Sequence, residues 1–300
     1  MFTQLIPGLL LLLASTSLNC QEGELYQAKD FTKVDGFTSG IEGPAVDKYG
    51  NIYAVNFAAQ GTIGMVLPDG TASLWITLPE GSIGNGIRID NKGLLYVADY
   101  TNHNVLQIHP QTKATVVYMH NGDMNQPNDL AICRDGTLFA SDPNWKEGTG
   151  NLWRVDTDGR SVLMEENMGT SNGVEVSPDE KTLYVNESVQ RKVWAYDLDL
   201  EKNISNKRIF HEFADFGMDG MRCDTAGNLF ITRHGKGTVA ILSTEGKLLQ
   251  EVVLQGKKPS NIAFGGKGGR TCYVTLQDRG CFETFRSQHP GRAFDIIHSH

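Results

Sequence analysis

After residue 24 the chain reads as short runs of alternating apolar and polar residues, parted by turns rich in Gly, Asp and Asn. That alternation belongs to half-buried β-strands. One arrangement recurs six times: "EGPAVDKYGNIYAVN" (42–56), "NGIRIDNKGLLYVAD" (85–99), "NDLAICRDGTLFASD" (128–142), "NGVEVSPDEKTLYVNE" (172–187), "DGMRCDTAGNLFITR" (219–233) and "NIAFGGKGGRTCYVTL" (261–276). Each copy joins a strand of small apolar residues, through a turn, to a strand centred on an aromatic. The aromatics Tyr53, Tyr96, Phe139, Tyr184, Phe230 and Tyr273 are separated by 43, 43, 45, 46 and 43 residues. A regular period of this size marks propeller blades.

Between the copies lie two more strand candidates each, such as "TIGMVLPDGTASLWITL" (62–78) and "GNLWRVDTDGRSVLMEE" (150–166), joined by Pro-Asp-Gly or Thr-Asp-Gly turns. Four strands in each of six repeats predict an all-β, six-bladed β-propeller with four antiparallel strands per blade, spanning 21–300. No segment after residue 24 reads as a helix or a linker. Closing the ring needs a strand from one end of the chain. Segment 24–34 is expected to complete the last blade, and "RAFDIIH" (292–298) competes for that place.

Counting back from each aromatic to the start of its copy gives 11, 11, 11, 12, 11 and 12 residues, reaching Glu42, Asn85, Asn128, Asn172, Asp219 and Asn261. All six side chains carry oxygen. The first strand of a propeller blade lines the central channel, so equivalent positions form a ring about the axis. Asn-Gly and Asp-Gly pairs are also hairpin-turn signals, but these copies place their turns downstream, as in "RDG" (134–136). Buried amides and carboxylates need partners. Channel water is one candidate and a cation the other. Two carboxylates with amide oxygens, and no thiolate or repeated His, make a hard donor set that suits Ca²⁺ better than Mg²⁺, with other divalent ions as alternatives.

A formal charge of −8 and the lack of a basic cluster disfavour nucleic acid as a partner. Residues 5–14, "LIPGLLLLLA", followed by "STSLNC", predict that 1–20 is a signal peptide or a lipoprotein signal. The chain is therefore expected outside the cytoplasm, secreted or periplasmic, and at a membrane only if Cys20 is lipidated. Cys133, Cys223, Cys272 and Cys281 are read as small buried hydrophobes. In a hairpin across "QDRG", Cys272 faces about Phe285 and Cys281 sits beside the turn, which argues against their pairing. Asn186-Glu-Ser and Asn203-Ile-Ser are glycosylation sequons if the host is a eukaryote.

From "FTSGIEGPAVDKYGNIY" to "PSNIAFGGKGGRTCYVT", the sequence resembles the senescence-marker-protein (regucalcin), gluconolactonase and luciferin-regenerating-enzyme family of six-bladed propellers. The motifs are most specific at "EGP", "QPNDLAICRDGTLFASDP", "SNGVEVSPDEKTLYV" and "DGMRCDTAGNLFIT". The resemblance implies one divalent metal, usually Ca²⁺, and hydrolysis of lactones or related esters. It implies Glu42, Asn172 and Asp219 as metal ligands, Asn128 as a ligand for metal or substrate, and Asp219 as the catalytic base. Sugar-lactone members often have Arg two residues before the "ND" Asn. Gln126 stands there, without the charged fork, so gluconolactone is less secure than lactones in general.

On this reading the metal is a Lewis acid toward the substrate carbonyl and Asp219 a general base toward water. Asn85 and Asn261 are placed near the metal, through water in the ring, Asn85 and Gln126 are read with Asn128 as substrate contacts, and Asp129 is either an orienting residue or a strand cap. Loops 142–150 and 233–238 are expected to wall the pocket, bringing Trp145 and His234 to the substrate, each with an ordinary surface-loop reading beside it. Two other functions remain open: a propeller that binds a ligand or protein without turnover, and a phosphotriesterase or arylesterase.

Overall fold

A computed structural model describes residues 24–298. The signal-like segment 1–20 and Cys20 lie outside the described residues. Six four-stranded antiparallel sheets stand around one axis. Their innermost strands are Phe37–Val46, Gly84–Ile89, Leu130–Ile132, Ser171–Val176, Met221–Cys223 and Pro259–Gly265, numbered below as blades 1 to 6. The second strands, Ile52–Phe57, Leu95–Asp99, Leu138–Asn144, Thr182–Glu187, Leu229–Arg233 and Thr271–Leu276, carry the six repeated aromatics, all buried.

Each aromatic directly faces one inner-strand residue: Ala45 with Tyr53, Arg88 with Tyr96, Ala131 with Phe139, Glu175 with Tyr184, Arg222 with Phe230 and Ala263 with Tyr273. Facing residues of an antiparallel pair project to the same side of the sheet. Aliphatic side chains then fill the space between neighbouring blades. Val55, Ile63 and Trp75 of blade 1, for example, share a cluster with Ile87, Leu95 and Val97 of blade 2.

The amino-terminal segment closes the ring. Lys29–Asp30 pairs antiparallel with Cys281–Arg286, with Lys29 opposite Thr284 and Asp30 opposite Glu283. Arg279 fastens this seam, its guanidinium lying 2.5 Å from Asp30 and 2.6 Å from Glu283. The competing segment is not a strand. Arg292–His298 forms a short α-helix, which corrects the expectation of a chain without helices. Its alternation of apolar residues is too brief to tell the two periods apart. Packing decides, with Ile297 joining the blade 1 and 2 cluster and Phe294 lying against Gly269 of blade 6.

Cys133, Cys223, Cys272 and Cys281 are buried and free, and Cys272 faces Phe285 in the register read from the sequence. Asn186 is fully buried, so a glycan there is incompatible with this fold. Among the described residues no helix is long and apolar enough to cross a membrane.

Candidate functional site

Glu42, Asn85, Asn172 and Asn261 lie within inner strands, and Asn128 and Asp219 stand two residues ahead of theirs. Main-chain bonds hold these approaches: Asn128 N donates to Ser141 O at 2.8 Å, and Asp219 N to Thr232 O at 3.0 Å. The glycines that follow ring residues are not hairpin turns. Gly43 has φ +59°, and a Cβ there would fall 2.0 Å from the Asn85 carbonyl oxygen. Only glycine lets the next blade come so close.

The ring side chains meet one another. Glu42 Oε2 accepts from Gly43 N at 2.6 Å and from Asn261 Nδ2 at 3.0 Å. Asn172 and Glu42 both lie close enough to the Asp219 carboxyl to alter its affinity for a proton, Asn172 lowering it and Glu42 raising it. Asn85 Nδ2 donates to the Asn128 carbonyl at 3.1 Å. Two groups are left over. The Oδ1 atoms of Asn128 and Asn172 are buried without a hydrogen-bond partner, and neither Glu42 nor Asp219 makes an ion pair among the described residues. Burial, followed by the negative charge of Asp129, pushes the Glu42 carboxyl up to about 7. Burial, followed by Glu42, raises Asp219 well above the usual carboxylate range. Both carboxyls therefore favour the protonated form more than free acids do.

A buried charged layer lies beneath the ring, and the sequence reading missed it. Arg88 crosses from blade 2 to place Nη2 3.1 Å from Asp129 Oδ1 and 3.4 Å from the Val174 carbonyl of blade 4. Arg222 crosses from blade 5, 3.6 Å from Asp129 Oδ2 and 3.4 Å from the Pro44 carbonyl of blade 1. Burial and the like charge of Arg88 lower the Arg222 guanidinium to about 10. From the terminal helix, Arg292 reaches Glu175 at 3.2 Å and Glu180 at 2.9 Å. A buried charge left unpaired costs several kcal/mol, so these arginines and acids require one another. Asp129, left open between an orienting and a capping role, caps its strand, with Oδ1 accepting from Leu130 N at 2.9 Å, and pairs with the two arginines. The available signal was Arg88, Glu175 and Arg222 at inner-strand positions where the other copies carry alanine.

This division decides what the ring can bind. Arginines pair with Asp129 and Glu175, whereas Glu42 and Asp219 make no ion pair among the described residues. Among the described residues no three His, Cys, Asp or Glu side chains gather to hold a metal, so binding there rests on amide oxygens as well. Two orphaned amide oxygens in one ring with two carboxylates that make no ion pair among the described residues fit a hard dication such as Ca²⁺.

The expected pocket walls are partly redrawn. Strands Leu138–Asn144 and Thr149–Val155 consume most of the 142–150 loop, leaving Trp145 45% exposed at the hairpin tip. Asp142 is fully buried and accepts from Gln126 N at 2.6 Å and Trp153 Nε1 at 2.9 Å, fixing the segment that leads to Asn128. His234 is half-buried, 3.2 Å from Gln277 Oε1, and burial lowers its pKa, which leaves it neutral near pH 7.

Residues 77–278 match the family described as SMP-30/Gluconolactonase/LRE-like region. The chain is 28% identical to the gluconolactonase of Zymomonas mobilis over 270 residues, covering 78% of this chain and 75% of the relative. It is 26% identical to the diisopropyl-fluorophosphatase of Loligo vulgaris over 298 residues, covering 87% and 93%. The crystal structure of a calcium-binding regucalcin from Agrobacterium tumefaciens superposes with a TM-score of 0.74 at 18% identity, over 88% of this chain and 97% of that one.

Proposed function

The chain belongs to the SMP-30/gluconolactonase/LRE-like family, and from that premise we propose that it is a calcium-dependent hydrolase that opens lactones or related esters at the axial ring. The observation that carries this reading is the ring itself: Glu42 and Asp219, which make no ion pair among the described residues, stand in one ring with Asn128 and Asn172, whose buried Oδ1 atoms have no hydrogen-bond partner. Those four residues are the ones that would hold the metal. Bound there, a hard dication supplies positive charge toward the substrate carbonyl and the oxyanion that develops on it.

The rest is work for the chain. Asp219 accepts a proton from the water whose oxygen attacks the carbonyl carbon, and the same proton goes to the alkoxide when the ring C–O bond breaks. Asp219 must be ionised to do this, and a dication held beside it would favour that form. Asn85 and Asn128 orient the substrate from blades 2 and 3, and Gln126, two residues before Asn128, would offer a neutral amide to it. His234, neutral near pH 7, and Trp145 stand on the second-strand loops at the same end of the channel.

A panel of lactones, aryl esters and phosphotriesters, assayed with Ca²⁺ and with chelator, tests the reading. Lactone opening that disappears in chelator and returns with Ca²⁺ is the expected result. The phosphotriester arm is warranted by the relative that spans 87% of this chain. A propeller that binds these compounds and turns none over would be a binding protein.

The apolar segment 5–14 further supports export. Mass spectrometry of protein from the native host should find a mature chain beginning after about residue 17–20. A soluble cytosolic protein that keeps residues 1–14 would overturn this.

A further inference from the structure

Asp219 arrives at the ring on residues 214–220, which belong to no strand. Their carbonyl groups are nonetheless gripped from two sides. Arg233, fully buried, stacks 3.6 Å from the Phe213 ring centre and donates to the Asp215 carbonyl at 2.5 Å and the Gly217 carbonyl at 3.4 Å. From the end of the second strand of blade 4, Ser188 Oγ donates to the Met218 carbonyl and Asn186 Nδ2 to the Asp219 carbonyl at 2.6 Å. Asn186 is fully buried. It reaches across blades by passing over Gly173, the residue after Asn172. A Cβ on Gly173 would fall 2.6 Å from Asn186 Nδ2 and 2.4 Å from the Asp219 oxygen.

We propose that Asn186, with Ser188 beside it, is a positioning residue that sets how far the Asp219 carboxylate extends toward Glu42 and Asn172. The inference rests on reading the ring as a metal-assisted hydrolytic centre. An aspartate carboxylate is one methylene from its Cα, so a shift of the Asp219 peptide moves the carboxylate nearly as far. Catalytic geometry tolerates little of this, since about 1 Å of misplacement can cost 100-fold. The grip also spans two blades: Asn172 is in the strand that pairs with the one bearing Asn186, and Asp219 is in the next blade. One side chain therefore fixes the spacing between two ring oxygens.

The test is calorimetric titration of Ca²⁺ into the full-length, chelator-stripped protein, alongside kcat and KM for the lactone the parent hydrolyses best. The variants are Asn186→Leu, close in size but without the donor, and Ser188→Ala. Residues that orient metal ligands typically change affinity or activity 10–100-fold. Asn186→Leu is accordingly expected to raise the Ca²⁺ Kd about 10–100-fold and to lower kcat at saturating Ca²⁺, with KM little changed. Ser188→Ala should shift both in the same direction by less. If the variants melt earlier without metal yet keep the parent Kd and kcat, Asn186 only holds blades together and the proposal is wrong. Should Asn186→Leu not fold, Ser188→Ala decides alone, and a parent-like Kd and kcat overturns the idea. A parent that neither binds a divalent ion nor opens any lactone sinks the hydrolase reading, and this inference with it. A binding parent with indifferent variants sinks this inference only.

Discussion

Asp219→Asn is expected to lower turnover by about 10²–10⁴-fold at saturating metal and substrate, the usual worth of general-base assistance. That is roughly 3–5 kcal/mol of barrier at 1.36 kcal/mol per tenfold. The amide is nearly the same shape, its backbone stays tied to Thr232 and Asn186, and an NH₂ group set against Glu42 can donate to it. Geometry should therefore survive while basicity is lost. Metal affinity should weaken as well, because one of two uncompensated charges is gone. Occupancy has to be measured separately and the comparison made between fully loaded proteins. A loaded variant turning over at the parent rate would show that Asp219 is only a ligand and that the base lies elsewhere.

Removing divalent metal with a chelator should abolish activity and lower the melting temperature, because a ligand bound only by the native state stabilises it. At 100 times its Kd that stabilisation is about 2.7 kcal/mol. Chelation should also expose a pH dependence of one sign. Folding raises the Glu42 carboxyl to about 7 and raises Asp219 as well. The metal-free native state thus keeps protons that the unfolded chain has already released. Their contribution is fully present below about pH 4, the unfolded carboxyl range, and is lost as pH rises through 7. The loss approaches about 1.4 kcal/mol per pH unit for each proton held by the native state alone. Melting temperatures in chelator between pH 5.5 and 8.5 should fall with rising pH, more steeply than in saturating Ca²⁺ and more steeply than for metal-free Glu42→Gln. A slope that is equal in all three samples would show that the acid pair holds no such proton.

The sequence by itself carried the architecture, because a repeat states its constraint six times. Aromatics 43–46 residues apart, each 11 or 12 residues after an oxygen-bearing side chain, describe both the blades and the ring from pattern alone. The cysteine register was legible for the same local reason: pairing across a short hairpin depends on little beyond residues 272–286. What sequence could not supply were choices made by groups distant along the chain. Whether 292–298 is a strand or a helix turned on packing beneath the channel, since seven residues cannot hold a conformation by their own propensity. Arg88 and Arg222 read as single polar positions until the fold carried them across the axis to Asp129. Asn186 read as a glycosylation sequon until burial placed its amide on the Asp219 carbonyl. In each case the energy lies in desolvating a polar group against a partner that only closure of the ring supplies. Local pattern therefore determined which residues reach the axis, and tertiary structure decided which of their charges are cancelled there and which are left for a ligand.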